Sequence, residues 1–421
     1  EAERAGQEEV MSNFGAMSGS LHTARAFHTS TLLPDNTILV AGGTNGPNVL
    51  GTAEIYNIAD GTFSLTNQPM RDVRDLHTAT LLPNGRVLLA GGFTTNATST
   101  GSTNSAEIYY PDTKVFIPTS VMISSRSNHT ATLLPDGNVM VFGGFGPGDI
   151  ITGAAEIYYS TSGAWKPLAS STARALHTAT LLKDGRLMVA GGVNSGGVLS
   201  TVEAYTPATN SWTSLTSMPV ALRSHSATLL FDGRVLVAGG NDGYGEVNAS
   251  YIYDPVTGLW AATATSPLGQ PRFGHTATLL PDDTVMISGG STRLGQVPTA
   301  TEVYRIDTSS WVATGGPFTG GARAYHTMTL AADGRIYAIG GSDGVIGGAG
   351  TSLYSSGEQG YFTSDADLYT KNAPPSIRRS TITSTSSTVF LPGANLSVNG
   401  LRFHGGTEAS GRRCAGGLSV H

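Results

Sequence analysis

The chain is 421 residues long, with 13% charged residues, a formal net charge of −6 and four lysines. That balance leaves no basic surface for nucleic acid or anionic membranes, and no apolar run approaches the roughly 18 residues of a membrane-spanning helix. The single cysteine, Cys414, excludes an internal disulfide framework and a cysteine-based metal cluster. The 55 glycines, with abundant Ser, Thr and Asn, suit many short strands joined by tight turns and point to an all-β chain.

Residues 1–10, EAERAGQEEV, offer nothing to bury and read as a linker. From residue 11 onward a repeat takes over. Copies of HTATLLKDGRLMVAGG begin at His28, His77, His129, His177, His225, His275 and His326, at steps of 49, 52, 48, 48, 50 and 51 residues. A period near fifty with a glycine pair in each copy marks a repeat architecture, in which each unit buries its faces against its neighbours.

Each unit reads as four short strands. The first is the apolar HTATLL segment. A two-residue turn follows (Asn84-Gly85, Asp136-Gly137, Asp184-Gly185, Asp232-Gly233, Asp333-Gly334), and these pairs tolerate positive φ at both positions of a type I′ hairpin. Asp35-Asn36 and Asp282-Asp283 are weaker versions of it. The second strand ends in a glycine pair, from Gly42-Gly43 to Gly340-Gly341. The third carries a tyrosine: Tyr56, Tyr109, Tyr158, Tyr205, Tyr253, Tyr304 and Tyr369. The fourth carries Phe63, Phe116, Trp165, Trp212, Trp260 or Trp311.

The seventh unit ends after its third strand, because Lys371-Asn372-Ala373-Pro374-Pro375 breaks the pattern. Phe14 stands eleven residues before Arg25, where a fourth-strand aromatic belongs. The strand around Phe14 is therefore expected to complete the last blade of a closed ring over residues 11–371. Closure removes the sheet edges that an open array would expose. Residues 372–421 suggest two or three strands with a Pro392-Gly393 turn, about half a β-sandwich.

Two other residue types repeat with the histidine. Arg25, Arg74, Arg126, Arg174, Arg272 and Arg323 precede it by three, and Arg223 by two. Third-strand acids recur as Glu54, Glu107, Glu156, Glu203, Glu302 and Asp367, with Tyr251 in the remaining copy. The sequence leaves two readings open: structural Arg–Glu pairs, or a cationic rim at one mouth of the channel that attracts carboxylates. The histidines read as one structural hydrogen bond repeated seven times, since a metal needs three or four ligands converging within about 2 Å.

The R-x-x-H-[ST]-x-T-L unit, the glycine pair, the third-strand Tyr and the fourth-strand Trp together resemble the kelch repeat. That resemblance implies a seven-bladed β-propeller closed by an N-terminal strand. The HTATLLPDGRVLVAGG flavour is similar to bacterial kelch proteins and to the central domain of galactose oxidase-like copper radical oxidases. In those enzymes an immunoglobulin-like domain follows the propeller, and residues 372–421 resemble the start of one. Tyr325-His326 matches the oxidases' Tyr-His copper pair. The propeller nonetheless has no cysteine to cross-link a second tyrosine, and His404 lacks the expected Thr-His context. No cofactor is expected.

Once the repeat is set aside, the loops between second and third strands remain, at 93–105, 145–154, 241–249 and 342–365. Variable polar loops on a rigid ring are where recognition is usually placed. Tyr244, Tyr354, Glu358, Tyr361 and Phe362 are the candidate contact residues. The expected function is a noncatalytic, extracellular or cell-surface module that binds a protein partner or assembles with itself. A glycan-binding module and a copper oxidase are the alternatives.

Overall fold

The inner strand of each unit is apolar enough to be buried on both sides, and its partner strand more so. Val235–Ala238, for instance, is buried along its whole length. Burying one Val, Leu or Ile side chain contributes about 1.5–3 kcal/mol, so these short hairpins form the centre of every sheet. The computed structural model describes residues 14–342, apart from 47, 97–98, 264–267, 293–297, 315–317 and 319–320, together with 366–369.

The chain is an all-β propeller. Six four-stranded antiparallel sheets are each cut from one contiguous stretch, beginning with Thr29–Leu32, Thr37–Ala41, Ala53–Asn57 and Thr62–Leu65. A further four-stranded sheet is composite: Thr327–Leu330, Ile336–Ile339 and Ala366–Tyr369 are completed by Phe14–Ala16 from the other end of the chain. Phe14 lies opposite Tyr369, the register that sets Tyr56 against Phe63 and Tyr158 against Trp165 in contiguous blades. The expected immunoglobulin-like segment, 372–421, lies outside the described residues.

The core sits between blades. One cluster joins Leu39 and Ile55 of the first blade to Val87, Leu89 and Tyr109 of the second. Another closes the circle by joining Ile38, Val40 and Tyr56 to Tyr337 and Ile339 of the composite blade. Glycine pairs are where adjacent blades touch backbone to backbone. A Cβ on Gly340 would lie 2.5 Å from the Arg25 carbonyl oxygen, and one on Gly191 2.3 Å from that of Leu222, both at positive φ.

Two expectations need correction. The hairpin turn is not type I′. At the second blade Gly85 N–H donates to Leu82 O and Leu82 N–H to Arg86 O, and only Gly85 of the Asn-Gly pair has positive φ. This is a type I turn through Pro83-Asn84 followed by a left-handed glycine bulge, and the proline presets φ for the first central position. Asn36 (φ 62) and Asp283 (φ 65) take the glycine's place in the weaker copies. The 93–105 stretch, expected as loop, contains a ribbon of Phe93–Asn96 with Ser99–Ser102.

Candidate functional site

The site is built from the residue before each repeat histidine. Phe27, Leu76, Asn128, Leu176, Ser224 and Tyr325 have φ between 50° and 56°, and Gly274 has φ 62°. A non-glycine residue held there costs on the order of 1 kcal/mol. The conformation turns each N–H toward the preceding blade. Leu76 N–H donates to Phe27 O (3.2 Å), Asn128 to Leu76, Leu176 to Asn128, Ser224 to Leu176 (2.9 Å), Gly274 to Ser224 and Tyr325 to Gly274. Phe27 N–H donates back to Tyr325 O at 3.2 Å, completing a circle of seven backbone hydrogen bonds around the axis.

Isolated bridges such as Ala26–Thr44, Arg223–Asn241 and Ala324–Ser342 tie the residue two before each histidine to the one just past the glycine pair. The circle and the loops between second and third strands therefore share one face, called here the loop face.

Beneath the circle the repeated polar residues are occupied internally. Each histidine Nε2 is hydrogen-bonded to the Thr or Ser one residue past the histidine of the preceding blade, from His77–Thr29 (3.1 Å) round to His28–Thr327 (3.2 Å). Burial holds the His129 and His177 imidazoles well below the usual range and lowers those of His225 and His275 to about 3. The hydroxyls of Thr78, Ser226 and Thr327 also reach a carbonyl oxygen, and which partner of each His–hydroxyl pair donates follows the imidazole tautomer.

Six of the arginines do not form a rim. Arg25, Arg74, Arg126, Arg174, Arg272 and Arg323 are at most 1% exposed. Arg126 shows the pattern: Nη1 donates to Gly143 O (2.7 Å) and Ala154 O (3.0 Å), and Nη2 to Glu156 Oε1 (2.7 Å). The same Glu156 accepts from the Ile123 and Ser124 backbone N–H groups. Arg25–Glu54, Arg74–Glu107, Arg174–Glu203 and Arg272–Glu302 repeat that ion pair within their blades. A buried pair is tolerable only when its other valences are satisfied, which is why the carbonyls and backbone amides converge here.

The fifth blade departs from the pattern. Leu222, fully buried, occupies the arginine's place, and its carbonyl accepts from Gly192 N–H as the Arg174 carbonyl accepts from Gly144 N–H. Tyr251 stands opposite Val237, where Glu156 stands opposite Val141. Arg223, one residue later and half-buried, pairs its backbone with Asn241. It is the one channel-mouth candidate that reaches the loop face. Sequence reading noted its offset but not this consequence.

Tyr325 lies across the circle. Its ring packs on Phe27 at 4.3 Å between centroids and meets Phe273 edge-on at 6.5 Å. A Cβ on Gly274 would come within 2.5 Å of its Cε1, so the ring lies directly over that glycine. Its neighbour His326 is 1% exposed, bonded to Thr276 Oγ1 at 3.0 Å and edge-on to Phe318. Among the described residues no three His, Cys, Asp or Glu side chains converge as metal ligands would, and His404 and Cys414 lie outside them. His326 is thus committed through its Nε2 to the seam between blades.

Of the loop candidates, Tyr244 is 88% exposed on a turn whose Tyr244 and Gly245 N–H groups donate to Asp242 Oδ1. Tyr354, Glu358, Tyr361 and Phe362 lie outside the described residues.

The KLHDC2/KLHL20/DRC7 Kelch-repeats domain matches residues 76–290 and, in an overlapping placement, 167–341, together well over half the chain. The chain belongs to this kelch-repeat family. Among solved structures, one described as a novel fungal alcohol oxidase with catalytic diversity among the AA5 family, in complex with copper, superposes with a TM-score of 0.67. It is 17% identical, over 86% of this chain and 76% of that one. At that identity the likeness is one of fold. No curated protein matches the chain.

Proposed function

We propose that this kelch propeller is a noncatalytic protein-interaction module that presents its loop face to a partner. The observation that carries the reading is the division of labour in the ring. The repeated His and Arg side chains whose bonds are described above are spent inside or between blades, while the residues that break the repeat (Arg223, Tyr325 and the exposed Tyr244) lie on one face. A rigid scaffold with variable loops on one side is the usual architecture of recognition. The Ser-, Thr- and Asn-rich, lysine-poor composition favours an extracellular or cell-surface setting.

The test is loop replacement. The 241–249 loop, NDGYGEVNA, is exchanged for the first blade's TNGPNVLGT (44–52), and a partner identified with the intact protein is titrated against both. A loss of affinity of tenfold or more at unchanged melting temperature supports the loop face. Equal affinity moves the contact elsewhere and defeats the proposal.

A further inference from the structure

The fifth blade replaces both members of the buried ion pair, with Leu222 for arginine and Tyr251 for glutamate. Arg223 is therefore not needed to hold that blade together. Its backbone is fixed by reciprocal hydrogen bonds with Asn241, Arg223 N–H to Asn241 O at 3.0 Å and Asn241 N–H to Arg223 O at 2.9 Å. Its guanidinium makes no hydrogen bond or ion pair with any described residue, whereas the repeat arginines of the first four blades and the sixth each hold a buried carboxylate. The ionisable group that acts on it is the Tyr325 phenol. A half-buried guanidinium without a counter-ion is an unmet electrostatic demand, and a planar carboxylate answers it with two parallel hydrogen bonds.

We propose that the axial mouth of the loop face is a carboxylate-binding site, in which Arg223 supplies the charge and the Tyr325 hydroxyl donates a hydrogen bond. Both groups are preorganised. Arg223 hangs from a fixed backbone, and the Tyr325 ring is held by Phe27, Phe273 and the bare face of Gly274. Burial pushes the phenol above its ordinary range, so at neutral pH it is a donor and not a phenolate that would repel an anion. The carboxylate is carried either by an acidic side chain of a partner protein or by a free small acid. The site thus goes beyond the interaction reading and does not depend on it.

The test is calorimetric titration of the full chain with two probes at low salt: citrate, and a hexaglutamate peptide with a blocked C terminus. Each is run on wild type, Arg223→Gln, Arg223→Lys, Tyr325→Phe and a control at an exposed paired arginine on the hairpin turns, Arg186→Gln. The expected result is saturable binding of at least one probe, weakened at least tenfold in Arg223→Gln, and several-fold in Tyr325→Phe. Arg223→Lys should retain part of it and Arg186→Gln all of it. Citrate alone identifies a free acid, and hexaglutamate alone a side chain of a partner. Arg223→Gln should melt with the wild type, since its side chain holds nothing in the fold. If neither probe binds the wild type, or Arg223→Gln binds as well as wild type, the carboxylate site is wrong. Either of these failures leaves the loop-face reading intact.

Discussion

Acid should weaken this propeller from about pH 6.5 downward, before its carboxylates protonate. His225 and His275 are fully enclosed between blades, and burial lowers each from an ordinary value near 6.5 to about 3. The fold therefore holds the neutral imidazole, while the unfolded chain takes up a proton below about pH 6.5. Stability is fully present above that pH and falls as pH drops towards about 3, because the unfolded state binds more protons. Each histidine contributes a loss of about 1.4 kcal/mol per pH unit in that window. The two together lose about 3 kcal/mol between pH 6.5 and 5, the slope being half its full value at the unfolded pKa. His129 and His177 are shifted in the same direction by burial and by neighbouring arginines, so they steepen the slope. A domain holds only about 5–15 kcal/mol in total, so half-unfolding is expected between pH 4 and 5. Urea titrations at pH 7, 6 and 5, followed by tryptophan fluorescence, measure the slope. His225→Gln should lower stability at pH 7 by roughly 1–3 kcal/mol while flattening the pH dependence by about 1.4 kcal/mol per unit. Equal urea midpoints at pH 7 and pH 5 would show that these histidines are not held neutral, and the reasoning would fail.

Two further tests address the scaffold. Arg126→Leu or Glu156→Tyr alone should each destabilise the third blade by about 3–5 kcal/mol, because either strands a buried charge. The double substitution copies the fifth blade's own Leu222 and Tyr251 and should recover most of the loss; thermal melts showing simple additivity would refute the equivalence. Gly143→Ala places a Cβ 2.4 Å from the Arg174 carbonyl oxygen at φ 68°, whereas Gly185→Ala, at φ 84°, meets nothing within 4 Å. The second should cost about 1 kcal/mol of backbone strain and the first clearly more, and equal melting temperatures for the two variants would contradict the blade contact.

Much of the scaffold was legible because each of its demands selects a residue type. A site with positive φ and no room for a Cβ admits only glycine, so the blade contacts appear in the sequence as glycine pairs. The spacing of Phe14 from Arg25 likewise marked the missing fourth strand, which the fold sets with Phe14 opposite Tyr369. The circle of hydrogen bonds at the axis was not legible. Its positions are filled by Phe27, Leu76, Asn128, Leu176, Ser224, Gly274 and Tyr325, a set with no common chemistry. There the left-handed conformation is enforced by a bond to the next blade and not by the side chain. The turn type was not legible for a related reason: Asn-Gly and Asp-Gly fit both a type I′ turn and a type I turn with a bulge, and the same bulged turn forms whether Pro83 or Lys183 precedes the pair.

That contrast locates what is specific to this chain. A repeat can lose one member of a buried ion pair only with damage, so Arg and Glu must be exchanged together, and the fifth blade has exchanged both. Once Leu222 fills the arginine's place, the following residue is released from structural duty. The left-handed backbone at Ser224 (φ 51) then sets the chain so that Arg223 stands at the loop face, beside the loop at Asn241, and not in the blade interior. Tyr325 reaches the same mouth because Gly274 is the only member of the circle without a side chain, which leaves the surface on which the phenol ring lies. Two departures from the repeat, in the fifth and sixth blades, are thus needed to bring one cation and one phenol together. Leu222 is taken up in the apolar core, whereas the Arg223 guanidinium makes no hydrogen bond or ion pair with any described residue. A charge that the fold does not use is where binding is to be sought.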